Sequence, residues 1–363
     1  MKWRLTILDR YIIRKFIGTY LFALLLIIGI VIIFDISEKI DDFVAKEAPL
    51  KAIIVDYYAN FVPYFMNMFS PLFVFIAVIF FTSKLAANSE IIAILSGGVS
   101  FNRLLFPYFI SAFVIVFMSV LLNLFVIPPA NQQRLAFESK YLKAKNVEWS
   151  QNIHFQIAPG HFLYMESFNS WSNTAIKMTL EHFEGNQMRS KLSAETAVWD
   201  STFNGWRLNN YALRMIDSLG SEQITRGETR DTILDLTVSE LKQRKEAVDA
   251  LNYFALEREI AKLKMRGDAR IKYAQIQKNM RFAMPFSGFI LTLMGVALSS
   301  RKRRGGIGLN IGIGIGLSFS YILFLRFSEM FVHSDLLPPA IALWVPNILF
   351  AFVAAVLYKM APK

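Results

Sequence analysis

The chain contains no cysteine, which excludes disulfides, zinc–thiolate sites and thiol nucleophiles. Any part that lies in an oxidising compartment must be held by its own core. The four histidines, His154, His161, His182 and His333, are scattered, and His182 near Glu184 reads as the surface of a strand, so no metal site is expected. The chain has no G-x-x-x-x-G-K-[ST] loop to cradle nucleotide phosphates, no H-E-x-x-H and no G-x-S-x-G elbow. Only 18% of residues are charged, and no Asp, Glu, Lys or Arg falls within the long apolar runs, where an ion-coupled carrier would hold one. These absences argue against an embedded enzyme and against a secondary transporter. No cofactor is expected.

What is present is apolar surface in blocks. The chain has 363 residues, of which 54% are hydrophobic and 33 are Phe, against roughly 45–50% apolar in ordinary soluble domains. Charge-free runs occur at Phe16–Phe34, Phe61–Thr82, Leu104–Ile127, Phe282–Ser300, Gly305–Leu325 and Leu336–Tyr358. Each approaches or exceeds the roughly 20 residues that cross a hydrocarbon core about 30 Å thick. About six spanning helices follow. The first run is too long for a signal-peptide core and lacks a small-residue cleavage site, so it reads as a retained anchor. Pro128-Pro129 is expected to stop the third run.

Lys2, Arg4, Arg10, Arg14 and Lys15 precede the first run, Arg301-Lys302-Arg303-Arg304 separates the fourth from the fifth, and Lys359 and Lys363 close the chain. The loop after the first run is mainly acidic, with Asp35, Glu38, Asp41, Asp42, Glu47 and Asp56. If the spans alternate, every basic segment falls on one side, which places both termini in the cytoplasm. The net charge of +11 is largely this topology signal, so nucleic acid is not an expected partner.

From Ala130 to about Arg270 no run is long enough to span, and apolar residues alternate. Ile153, Phe155 and Ile157 flank His154 and Gln156; Ile176, Met178 and Leu180 flank Lys177 and Thr179. Similar strings occur at Ala194–Trp199, Arg207–Met215 and Thr232–Val238, separated by turn signals at Pro159-Gly160, Gly185-Asn186, Asn204-Gly205 and Leu219-Gly220. Period-two strings at this spacing read as a β-sandwich, jelly roll or barrel, and topology puts it outside the cytoplasm. From Thr237, with Thr237-x-x-Glu240 as a capping box, the period becomes helical, with a break at Gly267. The expected organisation is a three-span half at residues 1–127, a β domain with a helical connection at 128–270, and a second three-span half at 271–363.

The connection Ser83–Pro107 between the second and third runs is built like a small helix, at about residues 88–97. Asn88 and Ser89 are candidate caps, Glu90 sits in the first turn, and Ile91, Ile92 and Leu95 are expected on one face. Gly97-Gly98 ends the element and Ser100 caps the next. A stiff rod between two spans suits a lever offered to a cytoplasmic partner; the alternative is a helix resting on lipid headgroups. Gly308, Gly312 and Gly316 recur at intervals of four in the fifth run, a spacing that lets a neighbouring helix approach closely, though glycine is also generally tolerated in membrane helices.

Leu8-Asp9-Arg10-Tyr11 with Phe16, Ser89-Glu90-Ile91-Ile92-Ala93 with Gly97-Gly98-Val99-Ser100, Arg281-Phe282-Ala283-Met284-Pro285, and Trp344-Val345-Pro346-Asn347 together resemble the permease subunits of the lipopolysaccharide-export ABC transporter, the LptF/LptG (YjgP/YjgQ) family. The likeness covers the whole chain and is loosest across the β segment. It implies a Gram-negative inner-membrane protein whose fold is α-helical with an inserted periplasmic jellyroll-like domain. It also implies a second related permease as heterodimer partner and a cytoplasmic ABC ATPase dimer docked on the coupling helices, with Glu90 in contact. Lipopolysaccharide would be extracted and passed to periplasmic bridge proteins of similar β fold. The chain itself would be non-catalytic, with hydrolysis supplied by the partner.

An anionic glycolipid cargo makes Lys39, Arg134, Arg281 and Arg326, at the outward ends of spans, candidate headgroup contacts. The competing reading is that they reach phosphates of the bilayer itself, or, for Arg326, that it pairs with Glu329. Rival functions are an envelope scaffold whose β domain binds partners without moving lipid, an ion-coupled transporter of two three-span halves, and an enzyme of lipid modification.

Overall fold

The computed structural model describes residues 5–142, 150–217, 220–234, 236–241, 245–268, 270–300 and 306–361. The basic residues Lys2, Arg4, Arg301–Arg304 and Lys363 lie outside that set, as does Leu219 of the Leu219-Gly220 turn. The chain divides into two units, one of residues 1–142, 249–253 and 275–363, the other of residues 143–248 and 254–274.

The first unit holds the apolar runs as helices. Helix α1 (Ile7–Ala45) opens with a complete capping box: the Asp9 amide donates to Thr6 Oγ1 at 3.2 Å, and the Thr6 amide donates to Asp9 Oδ2 at 2.8 Å. It runs past Phe34 through Asp35 and Lys39, as expected. Helix α2 (Leu50–Ala87) follows after a short turn, then α3 (Glu90–Ser96) and α4 (Phe101–Tyr141). Pro128-Pro129 does not stop α4. A wide π turn at Leu122–Val126 precedes the two prolines, which sit in the first turn of the following helical stretch. Widening the ladder just before proline accommodates the missing N–H and relieves the ring clash that would break a regular helix.

Besides Asp9 and Phe43 near its ends, α1 buries only a narrow stripe: Ile12, Phe16, Tyr20, Leu24 and Ile28, at intervals of four. The first four of the stripe pack against Val74, Ala77, Val78, Phe81 and Leu85 of α2, while Phe22, Leu25, Phe34 and their neighbours stay exposed. Among the described residues, six helices are long and apolar enough to cross a membrane.

The last three of these are α7 (Ile271–Ser299), α8 (Gly306–His333) and α9 (Pro339–Met360). The most apolar stretch of α7 is 72% buried, against 22% for that of α1, so α7 is a centre of the bundle and α1 a rim. Phe75 and Ile79 of α2 meet Leu291 and Met294 of α7, Tyr321 of α8 and Phe350 of α9 in one apolar cluster. Two glycines permit this. A Cβ on Gly314 would stand 2.2 Å from Ile79 Cδ1, and one on Gly295 2.8 Å from Val78 Cγ1.

The second unit is a six-stranded antiparallel sheet in which every strand pairs with its sequence neighbour. Its strands are β1 (Ser150–Ala158), β2 (His161–Asn169), β3 (Thr174–Glu184), β4 (Gln187–Asp200), β5 (Gly205–Ile216) and β6 (Glu222–Thr232). The all-β insertion is therefore present, and the strand order, which periodicity leaves open, is sequential. Cross-strand pairs Phe155↔Leu163, Met165↔Met178 and Ala194↔Tyr211 carry the apolar face from strand to strand. The turns use residues suited to left-handed backbone, with φ +76° at Gly160 and +60° at Gly185. At Gly160 a Cβ would also lie 2.5 Å from the Phe183 carbonyl oxygen.

The end of this unit differs from the expected pattern. Of the string Thr232–Val238, Thr232 ends strand β6 and Val238 already opens a helix. Strand β6 is Glu222–Thr232, EQITRGETRDT, an edge strand exposed along most of its length and so without the apolar alternation by which a half-buried strand is read. Leu234, Leu236, Val238 and Leu241 instead pack onto the apolar face beside Trp206, whose Nε1–H donates to the Leu236 carbonyl at 3.3 Å.

The helical stretch beyond Thr237 is three pieces: α5 (Val238–Leu241), a 3₁₀ turn at Lys245–Ala250, and α6 (Tyr253–Arg266). It is not one long helix. The side chain of Glu240, on which the capping box depends, lies outside the described set. Gly267, at φ +65°, ends α6 as expected.

Candidate functional site

The short helix α3 has one face in the bundle and one face free. Ile91 is fully buried among residues of α1, α2 and α4, with Ile94 and Leu95 packed beside it. Ile92 is not on that face: its side chain is 52% exposed. Ala93 and Ser96 are exposed as well. The expected grouping of Ile91, Ile92 and Leu95 thus fails at Ile92, because a seven-residue helix at 100° per residue puts its second apolar residue on the outer edge once Ile91 is anchored.

The entry to α3 is also built differently from expectation. Ser89 takes left-handed backbone, φ +63°, and its side chain makes no cap. The Asn88 side chain donates to Glu90 Oε1 at 3.1 Å instead. The sharp turn at Ser89 redirects the chain between α2 and α3, so here Ser89 shapes the backbone. The exit matches expectation. Gly98, at φ +84°, donates to the Leu95 carbonyl at 3.0 Å and Val99 to that of Ile94 at 3.4 Å, while Gly97 occupies the cap position. Ser100 Oγ accepts from the Arg103 amide at 3.3 Å and caps α4.

Three ties fasten this end of the bundle. Arg103 donates twice to the Asp9 carboxylate, Nη1 to Oδ1 at 2.7 Å and Nη2 to Oδ2 at 2.6 Å, and Asp9 is only 1% exposed. The Tyr11 hydroxyl donates to Glu90 Oε2 at 3.4 Å, linking α1 to α3. Tyr358 near the end of α9 donates to the Asn102 side chain. A bidentate arginine–carboxylate pair fixes orientation as well as distance. A push on α3 therefore reaches α1, α4 and α9 through directed bonds as well as through apolar packing.

The Asp9–Arg103 and Tyr11–Glu90 pairs were not read from the sequence. The traces were there: Thr6-x-x-Asp9 has capping-box spacing, and Arg103 is a lone cation entering an apolar run.

The four basic residues considered for headgroup contact all engage groups of this chain. Lys39 pairs with Asp35 and lies over the Tyr57 ring. Arg134 lies 3.7 Å from Glu138 and over the Tyr64 ring. Arg281 is buried and donates to the Leu251 carbonyl at 2.6 Å. Arg326 takes the pairing alternative, with Glu329 at 2.9 Å. Lys39 and Arg134 share a neighbourhood, Lys39 on the Tyr57 hydroxyl and Arg134 on Glu138, whose charge acts on that same hydroxyl. A Cβ on Gly308, Gly312 or Gly316 would meet nothing of this chain within 4 Å, so the close approaches inside the bundle fall to Gly288, Gly295 and Gly314.

No individually curated protein matches the chain. The model of one family, described as lipopolysaccharide export system permease LptF/LptG, matches residues 10–360, nearly the full length. A multi-pass helical bundle with an inserted antiparallel sheet and a half-buried helix between its second and third spans is thereby placed: the chain belongs to the LptF/LptG family of lipopolysaccharide export permeases.

Proposed function

We propose that this chain is the membrane subunit that turns ATP-driven motion in a separate cytoplasmic ATPase into extraction of lipopolysaccharide from the inner membrane. The observation that carries the reading is the division of α3. Ile91 is sealed into the bundle while Ile92, Ala93 and Ser96 face outward, which is how a rod that transmits force to its own spans offers a surface to a partner. Glu90, held by Asn88 and Tyr11, stands at the head of that surface. Ser89, Gly97, Gly98 and Ser100 set its two ends.

A second related permease is the proposed partner of the open glycine stripe on α8. The excess of basic residues on the α3 side supports cytoplasmic termini and a periplasmic sheet unit. Handover of the lipid to bridge proteins of similar β fold completes the route. The carboxylates beside Lys39, Arg134 and Arg326 and the Leu251 carbonyl beside Arg281 support a structural role for these cations, with headgroup contact as a second duty for the exposed Arg326.

The test is co-purification of the tagged full chain. An ATPase and a second permease should come down with the wild type, and Glu90→Lys should lose the ATPase while keeping the permease. Absence of both partners from the wild-type preparation would sink the reading.

A further inference from the structure

One face of α1, with one residue of α2, forms a groove. Its head carries Tyr11, Arg14 and Lys15, its middle Gly18 and Thr19, and its far wall Phe22, with Phe80 of α2 alongside; the volume is about 590 Å³. On α1 these are positions i, i+3, i+4, i+7, i+8 and i+11, one continuous helical face about 17 Å long.

The chemistry is graded along it. Arg14 and Lys15 are exposed and have no carboxylate partner among the described residues, and no acidic residue lines the groove. Gly18 meets nothing within 4 Å, so its missing side chain leaves the middle of the channel open. Phe22 and Phe80 are exposed aromatic walls at the deeper end. Cations at one end and open apolar walls at the other match a molecule with an anionic head and an acyl tail.

We infer that this groove binds an anionic phospholipid of the leaflet on the α3 side, phosphate toward Arg14 and Lys15 and one acyl chain lying across Gly18 between Phe22 and Phe80. It is separate from the proposed cargo. Lys15 and Lys39 are 24 residues apart on α1, about 36 Å at 1.5 Å per residue, which exceeds the roughly 30 Å thickness of a hydrocarbon core. A resident lipid there braces the same end of α1 that Asp9 and Tyr11 tie to the lever.

The experiment places the full chain carrying Phe22→Trp in bilayers of phosphatidylcholine containing brominated phosphatidylglycerol, or brominated phosphatidylcholine as the control. Phe113→Trp, on the exposed face of α4, reports ordinary lipid contact. At the usual strength of a basic side chain beside anionic lipid, two cations predict about a thirtyfold preference for phosphatidylglycerol at position 22, absent at position 113. Arg14→Gln with Lys15→Gln should abolish the preference. Arg14→Lys with Lys15→Arg should retain it, which separates lost charge from lost fold. Gly18→Leu should reduce quenching by both lipids.

Equal preference at positions 22 and 113 overturns the site. So does relief of quenching by inorganic phosphate, which would mark a site for free anion, and so does capture of a protein helix by a photo-crosslinker at position 22.

Discussion

Arg103 grips Asp9 across 94 residues of sequence with two parallel hydrogen bonds of 2.7 and 2.6 Å, and the carboxylate they hold is buried. Asp9 also closes the capping box of α1, so a single side chain starts the first span and fastens it to the third. The pair is partly open to solvent on the arginine side, where Arg103 is 33% exposed. The penalty for breaking it therefore falls mainly on Asp9.

Removing the cation should be the harsher change. Arg103→Gln leaves a buried carboxylate with only Thr6 to support it, a loss of about 3–5 kcal/mol. Asp9→Asn with Arg103→Gln should recover part of that loss, because no uncompensated charge stays buried. Thermal unfolding of the four members of this cycle measures the coupling. Strictly additive losses would mean that the two side chains do not act as a pair.

The two neighbouring isoleucines of α3 should separate folding from docking. Ile91→Asp buries a charge in the bundle and should cost about 3 kcal/mol or more. Ile92→Asp, on the open face, should stay within about 0.5 kcal/mol of the wild type yet lose the co-purifying ATPase. The two readouts are melting temperature and pull-down. A Ile92→Asp protein that still binds the ATPase normally would move the docking surface off α3.

Tyr11→Phe deletes one hydroxyl and its long bond to Glu90, and should cost about 0.5–1.5 kcal/mol. If that bond transmits movement from α3 to α1, ATP hydrolysis by the assembled complex should persist while lipid transport slows. Parallel assays of hydrolysis and transport decide it, and an equal fall in both argues for a general loss of structure.

The glycines of α8 should sort by what lies opposite them. Gly314→Val drives new atoms into Ile79 and should destabilise the isolated chain by about 1–3 kcal/mol. Gly312→Val meets open space and should leave the chain's own stability close to wild type. Its expected defect is weaker association with a second permease, read by size-exclusion chromatography of the co-expressed pair.

In the sheet unit, Trp206→Ala removes a wholly buried indole and its bond to the Leu236 carbonyl, an expected loss of about 3–5 kcal/mol. Loss of the near-ultraviolet dichroism contributed by the Trp206–Trp199 edge contact would report the same event. A melting temperature unchanged by Trp206→Ala would show that the segment at Leu236 does not close this core.

The six spans were legible because a hydrocarbon layer imposes a length and forbids charge, and both constraints are written directly into residue order. The sheet was legible for a related reason, since alternation of apolar and polar residues is the local signature of a half-buried strand. Where that condition lapses, so does the reading: β6 is exposed along most of its length and carries no alternation, whereas in the Thr232–Val238 string, read as a strand, Leu234, Leu236 and Val238 pack down as a cover. Pro128-Pro129 looked like a stop because proline forbids a regular helical turn; the widened turn that admits both is a property of the folded helix.

Helix α3 was visible as an element but not in its orientation. Gly98 and Ser100 act through their own backbone or the next turn, so their roles are local and readable. Which of Ile91 and Ile92 points inward depends on what α1 and α4 place beside them, and Asp9 finds Arg103 only after two helices and a loop have folded. Residue order specifies which stretches must avoid water and where the backbone can turn; the choice of face, of charge partner and of close-approach glycine belongs to contacts between segments distant in the chain, because those energies exist only once the segments touch.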